Sequence, residues 1–89
     1  PAPAATHILH HGRAWPLSEP LSLCLDGKRL NFSRLVDSNA ALVISINQRS
    51  LNVLHRDKAI PMELPQSTEA GEKLIIGDHQ LLLIEVRHG

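Results

Sequence analysis

Six histidines are present in this 89-residue chain, and three of them lie close together near its start. His7, His10 and His11 belong to the segment HILHHG. If this segment is a β-strand, His7 and His11 point to one side and His10 to the other. Two imidazoles on one face can hold a metal if a third ligand, such as His55 or Asp57, comes close. Zinc sites normally show cysteines or tightly paired ligands, which this segment lacks, so we expect a solvated polar strand with no metal and no other cofactor.

No catalytic site is evident from the sequence. The serines do not lie in the Gly-x-Ser-x-Gly pattern of a nucleophile elbow, and no Gly-x-x-x-x-Gly-Lys segment is present to hold a nucleotide phosphate. Ser38, which follows Asp37, has the setting of a loop cap rather than of a nucleophile. The carboxylates are scattered through predicted turns without forming an acid–base pair. We therefore predict a protein that is not an enzyme and has no catalytic residues.

Arginines beside predicted turns are the best candidates for ligand binding. Arg29, Arg34 and Arg49 flank turns, and the segment FSRLVDSN surrounds Arg34 with hydroxyl and amide groups. Such a group can hold a phosphate through charge-assisted hydrogen bonds, although ordinary surface charge balanced by Asp37 and Asp57 explains the same residues. The candidate residues for contact with a protein partner or a phosphopeptide are Lys28, Arg29, Ser33, Arg34, Ser38, Asn39 and Arg49.

Charge and composition argue against several classes of binding protein. Nine basic and nine acidic residues give a formal net charge of zero, unlike a nucleic-acid binder or a polybasic membrane-surface domain. Trp15 and Phe32 are the only tryptophan and phenylalanine, and tyrosine is missing, so stacking platforms for bases or sugars are not expected. Cys24 is the single cysteine, which rules out an intramolecular disulfide; its place in an alternating apolar run predicts a small buried side chain.

The segment LSLCLDGKRLNF predicts a β-hairpin. Asp-Gly is a favoured pair for a two-residue type I′ turn, because both positions need positive φ. A turn at Asp26-Gly27 would place Leu23 opposite Leu30 and Leu21 opposite Phe32. The apolar residues of both strands would then share one face, namely Leu21, Leu23, Leu25, Leu30 and Phe32.

The segment GEKLIIGDHQLLLIEV predicts the closing hairpin of the fold. A two-residue turn at Gly77-Asp78 would put alternate apolar residues on one face, namely Leu74, Ile76, Leu81 and Leu83. Other short apolar segments recur about every eight to twelve residues with turn-forming residues between them. This spacing predicts an all-β sandwich of nine to eleven short, mostly antiparallel strands.

The length of the chain fits one domain. The segment PAPAA at 1–5 has the composition of a linker, residues 6–87 are expected to form the sandwich, and 88–89 a tail. Because the sequence starts with proline rather than methionine, we expect a domain of a longer protein. No run approaches the roughly 20 apolar residues of a membrane span. We therefore expect no direct membrane insertion and a cytoplasmic domain, whose parent protein could be membrane-anchored.

The closing segment, with its pattern Gly-x-x-Leu-x-Ile-Gly-Asp before an apolar strand, resembles the last hairpin of forkhead-associated domains. Upstream, HILHHGRAWPLSEPLSLCL is similar to the opening of that family, and AALVISINQRSLNVLHRDKAIPMEL to its middle strands. The resemblance covers most of residues 6–86. It implies a β-sandwich whose loops at 26–29, 33–39 and 48–50 form a recognition end.

Three departures from the family bear on function. Forkhead-associated domains read phosphothreonine with a Gly-Arg pair, where this chain has LDGK ending at Lys28. A Ser-x-x-His pair is replaced by DSNAAL, which keeps Ser38 but has Ala40 or Ala41 in place of histidine. The Asn-Gly that contacts the peptide backbone is replaced by DKAIPM. The resemblance therefore implies that phosphothreonine recognition is lost.

The function implied is a non-catalytic protein–protein interaction or assembly domain of a larger bacterial protein, similar to cytoplasmic domains of secretion-system ring proteins or signalling proteins. One alternative is a phosphopeptide-binding module that uses Arg34 and Ser38. Another is a barrel of the PilZ family, which binds cyclic di-GMP through arginines followed by Asp-x-Ser-x-x-Gly. Arg29, Arg34 and Asp37-Ser38 resemble that motif, but the spacing differs and the final glycine is missing.

Overall fold

The computed structural model describes residues 2–87, which fold into two antiparallel β-sheets packed face to face. This confirms the predicted all-β sandwich with nine to eleven strands. Pro1 and the predicted tail at 88–89 lie outside the described residues. The strands are β1 (His7–His10), β2 (Arg13–Pro16), β3 (Leu21–Asp26), β4 (Arg29–Ser33), β5 (Leu42–Asn47), β6 (Ser50–His55), β7 (Met62–Glu63), β8 (Lys73–Ile76) and β9 (His79–Ile84).

Sheet I has the strand order β2-β1-β9-β8-β7, and sheet II has the order β4-β3-β5-β6. All neighbouring strands are antiparallel. Hairpins build most of both sheets, and the pairing of β1 with β9 brings the two ends of the domain together. Residues 2–87 contain no helix long and apolar enough to cross a membrane.

The core lies between the inner faces of the two sheets. Alternate residues of each strand point inward, which is why Leu21 and Leu23 are fully buried while the intervening Ser22 is only half-buried. Sheet I supplies inward residues from β1, β8 and β9, and sheet II supplies them from β3 and β5. The fully buried side chains are Ile8, Leu17, Leu21, Leu23, Leu42, Ile44, Leu74, Ile76, Leu81 and Leu83.

The β3–β4 hairpin forms as predicted but in a different register. Its turn residues are Gly27-Lys28 and Asp26 pairs with Arg29, so Leu23 lies opposite Phe32 rather than Leu30. Gly27 has φ +64 while Lys28 does not have positive φ, which is the pattern of a type II′ turn. The predicted register was therefore wrong by two residues. Because a shift of two preserves the side-chain alternation, the predicted common apolar face is confirmed.

The β8–β9 hairpin has the predicted turn and the predicted faces. Gly77-Asp78 forms the turn, and Leu74 pairs with Leu81. Leu74, Ile76, Leu81 and Leu83 are all fully buried.

Two sequence-based expectations change at other positions. Cys24 is exposed rather than buried, because its neighbours Leu23 and Leu25 point inward and alternation turns Cys24 to the outer face. Residues 3–5, predicted as linker, pack on the sandwich. Ala5 is buried and donates its N–H to the Thr68 carbonyl, and the Ala70 N–H binds the Pro3 carbonyl.

Candidate functional site

Three hairpin turns meet at one end of the sandwich, which we call the histidine end. They are the β1–β2 turn at His11-Gly12, the β8–β9 turn at Gly77-Asp78 and the β3–β4 turn at Gly27-Lys28. The histidine end carries His10, His11 and His79, each offering a ring nitrogen, and these atoms all lie within 4.8 Å of one another.

Strand pairing brings His10 and His79 together. In the β1–β9 ladder Leu9 pairs with Leu82, so the next residue, His10, lies level with Leu81. His79 shares the inward face with Leu81 and lies two residues from it, which makes it the diagonal neighbour of His10. His10 accordingly sits at the rim of the core, 9% exposed, while His79 is half-buried.

His11 joins the cluster because β1 ends at His10. His11 is the first turn residue and has φ +49, so it leaves the strand alternation that predicted a common face with His7. Its ring stacks on that of His10, with ring centroids 3.9 Å apart and an interplanar angle of 19°. The predicted pairing of His7 with His11 is therefore wrong, and His10 is the partner of His11.

A hydrogen-bond chain defines the tautomers of His10 and His79 when both rings are neutral. His79 Nε2 lies 2.7 Å from the Lys28 carbonyl oxygen, which can only accept, so Nε2 carries a hydrogen. In neutral His79, Nδ1 is then the acceptor, and it lies 3.1 Å from His10 Nε2, which donates to it. The order of donation is His10 to His79 to Lys28. This chain links sheet I to the β3–β4 turn of sheet II.

The pKa of His10 is lowered, first by burial and then by the positive charges that His11 and His79 would carry. The rings of His11 and His79 contact the His10 ring directly. The other charged residues near His10 line the surrounding cleft, namely Arg13, Asp26, Lys28 and Arg29. Neutral His10 is therefore the form that the folded protein favours near neutral pH.

Acidification is expected to destabilise the fold through His10. Its unfolded-state pKa is about 6.5 and its folded-state pKa is lower, so this contribution is complete above about pH 6.5 and is lost as pH falls through the folded-state pKa. Denaturant titrations from about pH 7.5 down to about pH 5 should show a falling free energy of unfolding. The fall should be smaller in His10→Asn, whose side chain does not titrate. Equal pH slopes in both proteins would contradict this assignment.

The histidines form part of the wall of a cleft of about 590 Å³ at the same end. The rings of Trp15 and Phe32 stack with centroids 5.2 Å apart. This contact joins β2, an edge strand of sheet I, to β4, an edge strand of sheet II. The Arg13 guanidinium lies 3.9 Å from the centroid of the Trp15 ring, a cation–π arrangement. The full lining is His10, His11, Arg13, Trp15, Asp26, Lys28, Arg29, Leu30, Phe32 and His79.

The cleft has an excess of positive charge. Arg13, Lys28 and Arg29 line it together with one carboxylate, Asp26. Within residues 2–87, none of these three cations forms an ion pair with a carboxylate; the pair found there is Arg87–Glu85. Their charge is therefore available to a ligand, although the chain as a whole is neutral.

Two of the residues predicted to bind a ligand, Lys28 and Arg29, lie in this cleft. Arg34 does not. One of its terminal nitrogens donates to the Glu19 and Pro20 carbonyls at 3.0 and 3.3 Å, and the other donates to the Pro16 carbonyl. The Arg34 guanidinium thus anchors the connection from β2 to β3 rather than projecting toward a ligand.

The other predicted residues take part in local loop structure. Ser33 Oγ accepts the Leu35 N–H at 3.0 Å, and the Asn39 N–H donates to Asp37 Oδ1 at 2.8 Å. The Ser38 carbonyl accepts a hydrogen bond from Arg56 at 2.7 Å. These contacts shape the 33–39 loop.

The three predicted recognition loops do not meet at one end. Asp26 pairs with Arg29 at one end of β3, whereas Leu21, at the other end, pairs with Ile44. From Ile44, β5 continues away from the β3–β4 turn until it reaches the β5–β6 turn, which contains Arg49. Arg49 therefore lies roughly 25 Å from the β3–β4 turn along the strands. The expectation that loops 26–29 and 48–50 share a recognition end is therefore wrong.

His55 and Asp57, considered as a third ligand, bond locally instead. His55 Nε2 donates to the Ile60 carbonyl at 2.9 Å, and Asp57 Oδ1 accepts the Ala59 N–H at 3.1 Å. The residue that completes the cluster is His79, which sequence reasoning did not group with the N-terminal histidines. The position of His79 directly after Gly77-Asp78 was the available signal, because a residue that follows a hairpin turn lies at the end of the sheet.

Comparison with known proteins finds no matching family model, no similar curated protein and no similar solved structure.

Proposed function

We propose that this chain is a non-catalytic protein-interaction domain, of the forkhead-associated kind, that binds an acidic segment of a partner protein in the cleft at the histidine end. The observation that carries the proposal is the group of three cations without a carboxylate partner among the described residues, Arg13, Lys28 and Arg29, which share one cleft with the aromatic rings of Trp15 and Phe32. In keeping with the resemblance, the parent protein would be a larger bacterial protein in which this domain serves assembly or signalling from the cytoplasmic side.

The cleft combines charge with an apolar surface. Trp15 and Phe32, which are half-buried, offer apolar area to the side chains or backbone of a bound segment, and the cations line the same cleft. Aromatic and arginine side chains are enriched among the residues that dominate binding energy at protein interfaces. An acidic segment complements this surface in both respects. The neutral net charge of the chain makes the attraction local to the cleft rather than a property of the whole domain.

The residues of the cleft favour binding over catalysis. Its lining contains no serine, threonine or cysteine that could act as a nucleophile, and Asp26 is its single carboxylate. His10 and His79 bond to each other and to a backbone carbonyl rather than to a nucleophile. The arrangement therefore lacks the nucleophile–base pair of covalent catalysis and the paired carboxylates of acid–base catalysis.

The geometry also bears on the alternatives. Arg34, the centre of the phosphopeptide hypothesis, uses its guanidinium on three backbone carbonyls. The PilZ hypothesis needs Arg29 and Arg34 to act on one dinucleotide, but Arg29 begins β4 and Arg34 follows its last residue, which separates them by roughly 16 Å along the strand. The two-sheet architecture is in line with the forkhead-associated resemblance, while the positions of these arginines favour an acidic ligand at the histidine end.

The proposal is tested with three fluorescein-labelled peptides of equal length: one rich in Asp and Glu, its Asn and Gln counterpart, and a neutral peptide with one phosphothreonine. We expect saturable anisotropy changes with the acidic peptide that weaken as salt is added. Lys28→Gln combined with Arg29→Gln should weaken binding about five- to tenfold, since two charge interactions are lost. Trp15 is the only tryptophan, so its emission reports occupancy of the cleft directly.

Arg49→Gln is the matched control, because it removes one exposed charge at the opposite end of sheet II. It should leave the affinity unchanged. Equal binding of the acidic peptide and its amide counterpart, or equal loss in the Arg49 variant, would overturn the proposal. Tighter binding of the phosphothreonine peptide, abolished by Arg29→Gln, would replace it with phosphopeptide recognition.

A further inference from the structure

We propose that His10, His11 and His79 form a binding site for a divalent transition-metal ion, such as Zn²⁺, Cu²⁺, Ni²⁺ or Co²⁺. The site does not depend on the proposed acidic partner. It rests on the convergence of three imidazoles from two strands and a turn at the rim of the core.

The spacing of the nitrogens suits such an ion. In a tetrahedral site with metal–nitrogen distances of about 2.0–2.1 Å, two ligand nitrogens lie roughly 3.4 Å apart. His10 Nε2 and His79 Nδ1 are already 3.1 Å apart. All the ligand nitrogens lie within 4.8 Å of one another, so the remaining ligand must approach by at most roughly 1.4 Å. His11 is exposed at the turn, and rotation of its side chain can supply this movement.

The Lys28 carbonyl prepares His79 to act as a ligand. Metal-binding histidines commonly donate their other ring N–H to a carbonyl or carboxylate, which fixes the tautomer and the ring orientation. His79 Nε2 donates to the Lys28 carbonyl at 2.7 Å, which leaves the Nδ1 lone pair facing His10. A bound metal would replace the hydrogen shared by His79 Nδ1 and His10 Nε2 and would lie to one side of the line that joins these two nitrogens. His10 then carries its hydrogen on Nδ1, so no net proton change is required at this pair.

The chemistry of the site selects the class of metal. Neutral imidazoles suit borderline transition metals, whereas Mg²⁺ and Ca²⁺ require several oxygen ligands. Arg13, Lys28 and Arg29 line the same cleft and repel any cation, so coordination bonds rather than attraction by charge must hold the ion. Three protein ligands leave a fourth position open to water, or to a carboxylate such as that of Asp26, which lines the cleft.

Titration of the full chain without an affinity tag tests the site with Co²⁺, Zn²⁺ and Mg²⁺ as probes. We expect one Co²⁺ per chain with the absorption bands of nitrogen-coordinated cobalt, displacement of Co²⁺ by Zn²⁺, and no binding of Mg²⁺. Cu²⁺ should quench the emission of Trp15, which lines the same cleft. His79→Ala and His11→Ala should each weaken Co²⁺ binding at least tenfold, since loss of even a hydrogen-bond partner of a ligand typically costs about 10- to 100-fold. His7→Ala, on the same strand as His10, is the control and should bind as the wild type.

Because His11 is exposed, His11→Ala is expected to remain folded, and far-ultraviolet circular dichroism checks this. Absence of saturable Co²⁺ binding, undiminished binding in both His11→Ala and His79→Ala, or equal loss in His7→Ala would overturn the proposal. Lys28→Gln distinguishes the metal site from the proposed peptide binding. Removal of this cation should tighten Co²⁺ binding and weaken binding of the acidic peptide. Weaker Co²⁺ binding in this variant would count against the site.

Discussion

Leu23→Ala is expected to lower the free energy of unfolding by about 3–4 kcal/mol. Leu23 is fully buried on the central strand β3, where it pairs with Leu42 on one side and with Phe32 on the other. Truncation removes apolar contacts from the core between the two sheets. It also leaves a cavity, because a strand that is paired on both sides cannot move inward to fill it. For a domain of this size the loss is a large part of the total stability, roughly 5–10 kcal/mol.

Leu35→Ala is the matched control for Leu23→Ala. It deletes the same atoms from a side chain that is 84% exposed in the loop after β4. Its effect should be within about 0.5 kcal/mol of zero. Denaturant titration of both variants gives the comparison, with the slope m unchanged if both unfold in two states. Similar losses in the two variants would mean that the core does not lie between the two sheets.

The core was predictable because it depends on side-chain alternation, which tolerates some errors of register. The sequence placed the β3–β4 turn at Asp26-Gly27, whereas the turn residues are Gly27-Lys28. A type I′ turn accepts Asp-Gly, and a type II′ turn accepts any residue after a first glycine, so the local sequence fits both. The two turns differ by two residues in register, and the inward face is the same in each.

The histidine cluster was not predictable from local alternation. His10 and His79 are 69 residues apart in the chain, and their contact depends on the pairing of β1 with β9. Reasoning along a single strand instead selected His7 and His11. That selection assumed that the strand continued through His11, which is a turn residue with positive φ. The periodicity of one segment shows neither which distant strand it pairs with nor the residue at which the strand ends.

The role of Arg34 shows a similar limit. Composition marked this arginine as a ligand-binding residue because hydroxyl and amide groups surround it in sequence. In the fold its partners are the carbonyls of Pro16, Glu19 and Pro20, 14 to 18 residues earlier in the chain. An exposed arginine near a turn therefore binds whichever acceptors the fold brings to it. Lys28 and Arg29 reach the cleft because their own hairpin turn lies at its edge.

Gly77→Ala is expected to destabilise the domain by about 2–3 kcal/mol and Gly27→Ala by about 1–2 kcal/mol. Both glycines occupy the first position of a two-residue turn in which the second residue lacks positive φ, with φ +59 at Gly77 and +64 at Gly27. Side chains are strained at this position of a type II′ turn, so both substitutions share a backbone cost. They differ in the space available. A Cβ at Gly77 would lie 3.1 Å from Leu25 Cδ1, whereas one at Gly27 meets nothing within 4 Å.

The difference between the two variants therefore measures the contact between the β8–β9 turn of sheet I and Leu25 of sheet II. Replacing Leu25 by Ala in the Gly77→Ala background removes Leu25 Cδ1, the atom that the added methyl group approaches. The loss of unfolding free energy caused by Gly77→Ala should then fall to that of Gly27→Ala, about 1–2 kcal/mol. Double-mutant cycles by denaturant titration give this coupling. A cost at Gly77 that is no larger than at Gly27, or that is unchanged by Leu25→Ala, would show that the β8–β9 turn does not contact Leu25. That result would also weaken the case for the histidine end, because the same approach of the sheets brings His79 to the Lys28 carbonyl.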